Sequence, residues 1–299
     1  MSRNWESVLV TWAQGPSETE QQRAMNAETQ VRQAIADSSR LKNRNINVFT
    51  QGSYRNRVNV RQDSDVDIGV LCFDTYFPEY NDDNIKTLVE RTLTASTYSY
   101  QTFKNEVEEA LVARFGRAAV TRGKKAFDIK ANTYRVDADV APFFELRRWT
   151  SATNYLSGVE MIPDDGKPPR IRNWPEQHYE NGVGKNDSTN RRYKRVVRIM
   201  KTLRNEMADQ GITAATPIPS FLIECLIWNV PNDQFAYQTY KQTVRNCLAF
   251  LFNNTMSEEK CTDWGEVSEL KYLFRGSQPW TWQQAHAFID ASWNYMELE

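Results

Sequence analysis

The spacing of the apolar residues changes once along this chain of 299 residues, and that change restricts the fold more than any other feature. Up to about residue 160, short β-type runs alternate with helical runs, whereas beyond about residue 187 the spacing is helical only. Strands mixed with helices followed by helices alone are typical of an α+β protein with two lobes. We therefore predict a core lobe with a mixed sheet and N-terminal helices over 1–160, and a helical lobe over 188–299.

The segment between the two lobes is rich in Pro, Gly, Asn and Arg, most clearly from Pro163 to Asp187. It is too long for a routine connection. We predict that 161–187 is a connecting loop, which either carries function or forms the crossing between the lobes.

The composition excludes several classes of protein. The net charge is −1, so no overall field attracts long nucleic acid or a membrane surface. No run approaches the roughly 20 apolar residues that would span a bilayer. The four cysteines are far apart and form no C-x-x-C pair, which fits a reducing compartment. We expect a soluble, cytoplasmic protein that has neither long nucleic acid nor membrane as a partner.

A strand with two acids on one face is predicted at Val66–Leu71, where apolar and polar residues alternate. Asp65 and Asp67 would point the same way, about 7 Å apart, and a divalent cation between them would relieve their repulsion. Gly69 follows on that face, where we expect it to leave room for a bulky ligand. For Asp-x-Asp alone an exposed edge strand is the usual explanation, but Gly52-Ser53 lies about a dozen residues upstream and favours a site.

The motif Gln51-Gly52-Ser53-Tyr54 follows a short predicted strand and is suited to phosphate. Glycine lets backbone N–H groups approach an oxyanion, and the serine hydroxyl adds a donor. We therefore predict that these residues contact a phosphate group.

A second acidic pair lies on the strand-like segment Tyr134–Val140, where Asp137 and Asp139 face one side. If this strand lies beside that of Asp65 and Asp67, three or four carboxylates converge on one patch. The alternative is an exposed polar strand face.

In the helical lobe, basic residues form a stripe on a predicted helix from Ser188 to Gln210. We expect Arg191, Lys194 and Arg198 to face solvent, as such stripes usually do. Lys201 lies at the flank nearest the apolar face, where a half-buried lysine could reach a phosphate. Ser220 begins the next predicted helix and could donate to a phosphate, or serve only as an ordinary N-cap.

Together these motifs carry a resemblance to the polymerase-β-like nucleotidyltransferases. Gln51–Tyr54, Ser64–Ile68 and Asp139–Pro142 are most similar to the bacterial cGAS/DncV-like nucleotidyltransferases (CD-NTases), and the resemblance covers most of the chain. It implies a nucleotidyltransferase lobe with a mixed, twisted sheet packed against the helical lobe, with the active site in the cleft between them.

The resemblance also implies roles for individual residues. Asp65, Asp67 and Asp139 match the catalytic aspartates that hold two Mg²⁺ ions, for which Mn²⁺ is a possible substitute. Asp139 fits the third of these better than Asp137 because of the Asp-Val-x-Pro context.

Nucleotide binding is implied for a second group. Ser53 matches the serine that contacts the triphosphate, and Gln51 and Gly52 belong to the same motif. Lys201 is the match for a triphosphate-binding lysine, and the segment containing Ser220 resembles the start of the family's next helix.

The implied activity joins nucleoside triphosphates such as ATP and GTP into a cyclic di- or trinucleotide second messenger and releases pyrophosphate. In the family such products serve bacterial anti-phage defence (CBASS), so regulatory or conjugation partners from a defence operon are possible. No zinc module or strongly basic surface supports activation by nucleic acid. Two alternatives stay open: transfer to another acceptor (an RNA 3′ end, a protein or a small molecule such as an antibiotic), and a catalytically silent nucleotide-binding protein.

Overall fold

The computed structural model describes residues 3–60, 65–276 and 278–298. Its strands are β1 (Ile46–Thr50), β2 (Val66–Tyr80), β3 (Val120–Arg122), β4 (Phe127–Ile129), β5 (Ala138–Trp149), β6 (Tyr155–Met161) and β7 (Ile171–Asn173). Its α-helices are α1 (Trp5–Trp12), α2 (Glu18–Asp37), α3 (Gly52–Asn56), α4 (Asp83–Glu90), α5 (Tyr100–Phe115), α6 (Pro175–Ser188), α7 (Arg192–Asp209), α8 (Ser220–Trp228), α9 (Tyr240–Asn254), α10 (Glu258–Cys261) and α11 (Trp282–Tyr295). Short 3₁₀ helices lie at Arg117–Ala119 and Asn232–Phe235. Within these ranges, no helix is both long and apolar enough to cross a membrane.

The chain forms two compact units, and each is built from separate stretches of sequence. The sheet unit comprises Ser17–Arg55 and Asp63–Glu176, and the helical unit comprises Met1–Pro16, Asn56–Gln62 and Gln177–Glu299. This division differs from the predicted one because α1 belongs with the C-terminal helices. The reason is burial, since Trp5 and Leu9 of α1 lie in the core of the helical unit.

A single mixed sheet organises the sheet unit, as predicted. The strands lie in the order β1-β2-β5-β4-β3, while β6 pairs with β5 and β7 pairs with β6. Only the β2–β5 pair is parallel among the strand pairs of the described residues. Apolar residues of α2 and α5 share the core with the buried face of this sheet.

The second half of β2 runs through a segment whose composition is typical of a turn. The sequence from Asp74 to Asn84 has turn-like composition, yet β2 continues to Tyr80. It does so because its far half pairs with β5 as far as Trp149, after an irregularity between Cys72 and Tyr76. Pairing with a long neighbour stabilises this extended backbone against the local preference.

The predicted connecting loop over 161–187 is wrong for much of its length. It contains β7, and α6 begins at Pro175. Proline is well tolerated in the first turn of a helix, where its missing N–H is not needed. The two glycines of α6, Gly182 and Gly184, obscured the helix because glycine lowers helix propensity.

In the helical unit, α7, α8, α9 and α11 surround an apolar core with α1. The helix predicted from Ser188 to Gln210 agrees with α7, Arg192–Asp209, to within about four residues, and α8 begins at Ser220 as predicted. A 3₁₀ helix ends at Phe235, and α9 follows from Tyr240.

Candidate active site

The parallel pairing of β2 and β5 brings two of the predicted aspartates side by side. Asp67 is the register partner of Asp139, which confirms that the two acidic strands are neighbours. Asp65 lies one residue before β2 and is exposed. Ile68 and Val140, on the opposite face, are fully buried and fix which face carries the acids.

The raised pKa of Asp139 indicates that several negative charges lie close together. Burial is the largest cause that raises its pKa, and the charge of Asp128 is the second. The charges of Asp67 and Asp65 add to these, and the pKa of Asp139 rises to about 6. Carboxylates that raise each other's pKa in this way gain stability when a cation lies among them.

Asp128 is a member of the cluster that the sequence did not reveal. It lies on β4 directly opposite Asp139, and its proximity raises the pKa of Asp139. The alternation of Phe127-Asp128-Ile129 could have indicated an outward-facing acid, since both apolar neighbours are buried. The pairing partner of such a short strand is not readable from the sequence.

The Asp137 carboxylate forms its hydrogen bond outside this cluster. β5 begins only at Ala138, and the Asp137 carboxylate accepts a hydrogen bond from the backbone N–H of Ala131. This local bond shapes the turn before β5. Asp139, and not Asp137, is therefore the register partner of Asp67.

Gly52 sits against the carboxylate of Asp67. Its φ of +63° lies in the left-handed region, and a Cβ there would come within 2.1 Å of Asp67 Oδ2. The Gln51 N–H donates to the backbone carbonyl of Asp67 at 2.8 Å, which holds the two motifs together. Ser53 follows in the short helix α3, whereas Ser64 of the second motif lies outside the described residues.

The expectation that Gly69 leaves room for a ligand is wrong. A Cβ at Gly69 would come within 2.5 Å of the Phe49 ring. Phe49 is the β1 register partner of Gly69, so its ring occupies the space that the missing side chain leaves. Gly69 therefore serves the packing of β1 on β2.

The donor set suits a hard divalent cation. Mg²⁺ and Mn²⁺ prefer oxygen ligands, and the side chains that cluster here are carboxylates. In the part of the chain that the structure describes, no three His, Cys, Asp or Glu side chains are already in metal-ligating geometry. What favours a cation here is therefore the mutual repulsion of the carboxylates near Asp139.

The basic residues of α7 are more buried than the sequence suggested. Lys194 and Arg198 are buried, which corrects the expectation that both face solvent. Lys201 is only 1% exposed, so it is buried instead of half-buried. Its Nζ lies 3.9 Å from Oε2 of Glu224 on α8, a partner that the sequence did not reveal.

Ser220 is the first residue of α8, and Pro219 holds the N-cap position without any side-chain capping bond. The hydroxyl of Ser220 accepts a hydrogen bond from Nη2 of Arg204 at 2.9 Å. Ser220 is therefore not an ordinary N-cap. Because its hydroxyl accepts this bond, its own hydrogen can be donated elsewhere.

Comparison with known proteins gives the family of the chain. Residues 180–297 match the family model described as the cGAS/DncV-like nucleotidyltransferase C-terminal helical domain. A cyclic dipyrimidine nucleotide synthase CdnE from Legionella pneumophila is 44% identical over 306 residues, covering 99% of each chain. Another protein of that name, from Cecembia lonarensis, is 40% identical over 299 residues, covering 100% of each chain.

A solved structure extends the similarity to the whole fold. The Elizabethkingia meningoseptica CdnE cyclic dinucleotide synthase, with GTP and Apcpp, has a TM-score of 0.79 at 36% identity. The match covers 97% of this chain and 98% of that one.

The chain belongs to the cGAS/DncV-like nucleotidyltransferases. It is an enzyme of the cyclic oligonucleotide synthase class, with the polymerase-β-like α+β fold that its sequence predicted. Of the two alternatives, neither transfer to another acceptor nor a silent nucleotide-binding role has support among these relatives.

Proposed function

We propose that this protein joins two nucleoside triphosphates into a cyclic dinucleotide second messenger and releases pyrophosphate at each transfer. The observation that carries this proposal is the parallel register of β2 and β5, which sets Asp67 beside Asp139. Phosphoryl transfer of this kind depends on positioning and charge neutralisation, and it needs no covalent intermediate on the protein.

Asp65, Asp67 and Asp139 would hold two Mg²⁺ ions, for which Mn²⁺ could substitute. When bound, these ions would lower the pKa of the attacking ribose hydroxyl and neutralise the triphosphate. The side chains themselves supply a rigid, acidic strand face. Asp128 lies next to Asp139 and raises the negative charge of that face.

The remaining predicted residues would bind the nucleotide. Gly52 brings the backbone close to the acidic face, and Gln51 and Ser53 are its neighbours in the same motif. Lys201 would contribute positive charge and Ser220 a hydroxyl donor to a triphosphate. Charged donors make the strongest hydrogen bonds to phosphate oxygens.

We propose pyrimidine nucleotides as the first candidates for the bases. The relatives at 44% and 40% identity are named cyclic dipyrimidine nucleotide synthases, whereas one at 37% is named a cyclic dipurine nucleotide synthase. ATP and GTP therefore remain candidate substrates beside UTP and CTP.

The proposed setting is CBASS anti-phage defence in the cytoplasm, where the product would activate an effector. Four buried cysteines without disulfides are compatible with a reducing compartment. Regulatory or conjugation partners would be encoded in the same defence operon.

The test is to incubate the protein with Mg²⁺ and all four triphosphates, and to identify any phosphatase-resistant product by mass spectrometry. The variant Asp67→Asn should lose turnover by about three orders of magnitude while it stays folded, since it removes a charge that holds the cation. Asp137→Asn is the matched control, because asparagine can still accept the bond from the Ala131 N–H. Full activity of Asp67→Asn would overturn the assignment of that residue.

A further inference from the structure

Glu224 is a charged residue in the middle of a helix that is otherwise almost entirely apolar. The sequence of α8 is SFLIECLIW, and the residues from Leu222 to Ile227 are all buried. Glu224 itself is only 4% exposed. A carboxylate that is removed from water strongly destabilises the folded protein unless partners stabilise its charge. Its position therefore demands an explanation.

The partners of Glu224 come from two other helices. Nε2 of His178, on α6, lies 2.9 Å from Oε1, which is a hydrogen-bond distance. Nζ of Lys201, on α7, lies 3.9 Å from Oε2, which is an ion-pair distance and longer than a hydrogen bond. Burial alone would raise the pKa of Glu224, but the attraction to His178 and Lys201 outweighs it and holds the pKa below its ordinary value.

The two contacts act differently on the carboxylate. The short bond to His178 fixes one oxygen and therefore the plane of the carboxyl group. The longer contact places the ammonium group of Lys201 beside the other oxygen. The Glu224 carboxylate therefore attracts the Lys201 ammonium group to one position, although the two groups are too far apart for a hydrogen bond to each other.

We propose that Glu224 is a positioning residue that holds the Lys201 ammonium group in place for the triphosphate. This inference rests on the proposed role of Lys201 in nucleotide binding. His178 would secure Glu224, and Glu224 itself would not touch the substrate. A buried ion pair adds little net stability compared with apolar residues of the same size, so stability alone does not account for the pair.

The experiment measures binding of each of the four triphosphates, with Mg²⁺, to the wild-type protein by calorimetry. The triphosphate that binds most tightly is then titrated into Glu224→Gln, Lys201→Met and the double variant. The monophosphate of the same base is titrated in parallel. Glutamine keeps the shape and can still bond His178, while it removes the charge beside Lys201.

Glu224→Gln should weaken triphosphate binding about tenfold. This is the typical effect of weakening one charged hydrogen bond, here the bond from Lys201 to the triphosphate. Binding of the monophosphate should change less than twofold. Lys201→Met should weaken the triphosphate at least as much, and the double variant should bind no more weakly than Lys201→Met, because Glu224 acts only through the lysine. In turnover assays KM should rise while kcat stays within about twofold.

Glu266→Gln is the matched control. Glu266 is another buried carboxylate of the helical unit, 5% exposed, with Lys271 at 4.0 Å. It should bind the triphosphate as the wild-type protein does. If Glu224→Gln does not fold, Glu224→Asp retains the charge at a shorter reach and should weaken binding about threefold, a smaller effect than loss of the charge.

Wild-type affinity in the Glu224 variants, or equal weakening for the monophosphate, would overturn the positioning role even if the cyclic product forms. Additive effects in the double variant would overturn it too. If the wild-type protein makes no cyclic product but triphosphate binding depends on Lys201 and Glu224 as described, the proposed function fails and the positioning role stands. A wild-type protein that binds none of the four triphosphates would overturn both.

Discussion

Gly52 has no side chain, and this allows the motif Gln51–Tyr54 to pack against the strand that carries Asp67. Gly52 has a left-handed backbone, and its Cα packs where any Cβ would collide with the Asp67 carboxylate. Both features demand glycine, but they have different consequences. The backbone conformation affects folding, whereas the collision would displace the carboxylate of Asp67, which we propose holds the cation.

We expect Gly52→Ala to reduce pyrophosphate release at least a hundredfold, because a shift of about 1 Å in a catalytic group has effects of that size. The control is Gly166→Ala. Gly166 has the same φ of +63°, yet nothing lies within 4 Å of its added Cβ. Both variants should lose about 1 kcal/mol of stability from backbone strain, as measured by urea unfolding. Equal activity of the two variants would contradict the collision.

Single residues also show how far the sequence could lead. Asp65 and Asp67 were readable because alternation places them on one strand face and motif spacing links them to Gly52. Asp128 was missed because the partner of a three-residue strand depends on the whole sheet. Glu224 carried a usable signal, since a lone charge inside an apolar helix is usually buried against a partner.

At the scale of elements, a buried lysine ties α5 to the segment that follows β6. Lys104 of α5 is fully buried, and its Nζ donates to the carbonyl of Lys124 and to Oδ1 of Asp164, both at 2.8 Å. Arg122 of β3 donates to the other oxygen of Asp164 at 2.8 Å. One carboxylate thus connects a helix, a strand and a loop of the sheet unit.

Asp164→Asn should therefore lower the free energy of unfolding of the sheet unit by about 3 kcal/mol at pH 7, because it leaves the buried ammonium group of Lys104 without its counter-charge. Asp165→Asn, beside it in sequence, should cost much less, since Asp165 pairs with the exposed Lys124 and such surface pairs add little stability. Chemical unfolding of both variants measures the difference. Equal losses would contradict a special role for Asp164.

The contact between Lys104 and Asp164 also predicts that the stability of the protein depends on pH. Burial raises the pKa of Asp164, but hydrogen bonds from Arg122 and Lys104 outweigh it and hold the pKa below its ordinary value. The stability from this carboxylate is therefore present above pH of about 4, the unfolded value, and is lost as pH falls through the folded value. The gap in stability between wild type and Asp164→Asn should narrow as the pH falls below about 4.

Lys185 of α6 predicts a pH dependence in the alkaline range. Its Nζ donates to the carbonyl of Val230 at 2.7 Å and lies 5.2 Å from the Trp228 ring centre. Burial lowers its pKa to about 8. Between pH about 8 and about 10.4 the folded state binds fewer protons at Lys185 than the unfolded state, so stability rises with pH.

Lys185→Met should remove that rise, which we expect to be about 3 kcal/mol over this interval. Thermal unfolding of both proteins from pH 7.5 to pH 10.5 measures it. A parallel pH dependence in the two proteins would contradict the lowered pKa.

Elements were predictable where local pattern and tertiary pairing agree. The helices of the helical unit are strongly periodic, and their apolar stripes are buried as expected. The far half of β2 and helix α6 were missed because local composition opposes both structures. Pairing with β5 stabilises the first, and burial of His178 and Gly182 accompanies the second.

At the scale of the whole molecule, one arginine joins the three chain segments of the helical unit. Arg198 of α7 donates through Nε and Nη2 to the carbonyl of Ala13, at 2.9 and 2.5 Å. Its Nη1 donates to the carbonyl of Arg57 at 2.6 Å. Ala13 belongs to the first segment and Arg57 to the second, while α7 belongs to the third.

Arg198→Met should lower the free energy of unfolding of the helical unit by about 3 kcal/mol, because it leaves two backbone carbonyls without a charged donor. Arg195→Met, on the exposed side of the same helix, should change it by less than about 0.5 kcal/mol. Circular dichroism during thermal unfolding compares the two. An unchanged midpoint for Arg198→Met would contradict its connecting role.

The three-segment construction of the helical unit has a consequence for the order of synthesis. A ribosome releases the chain from its N-terminus, so Trp5 and Leu9 emerge long before the residues of α7 and α11 that bury them. The sheet unit, by contrast, is complete in sequence once Glu176 has emerged. We infer that the sheet unit can fold during translation. The first segment of the helical unit can bury Trp5 and Leu9 only after the last segment has been synthesised.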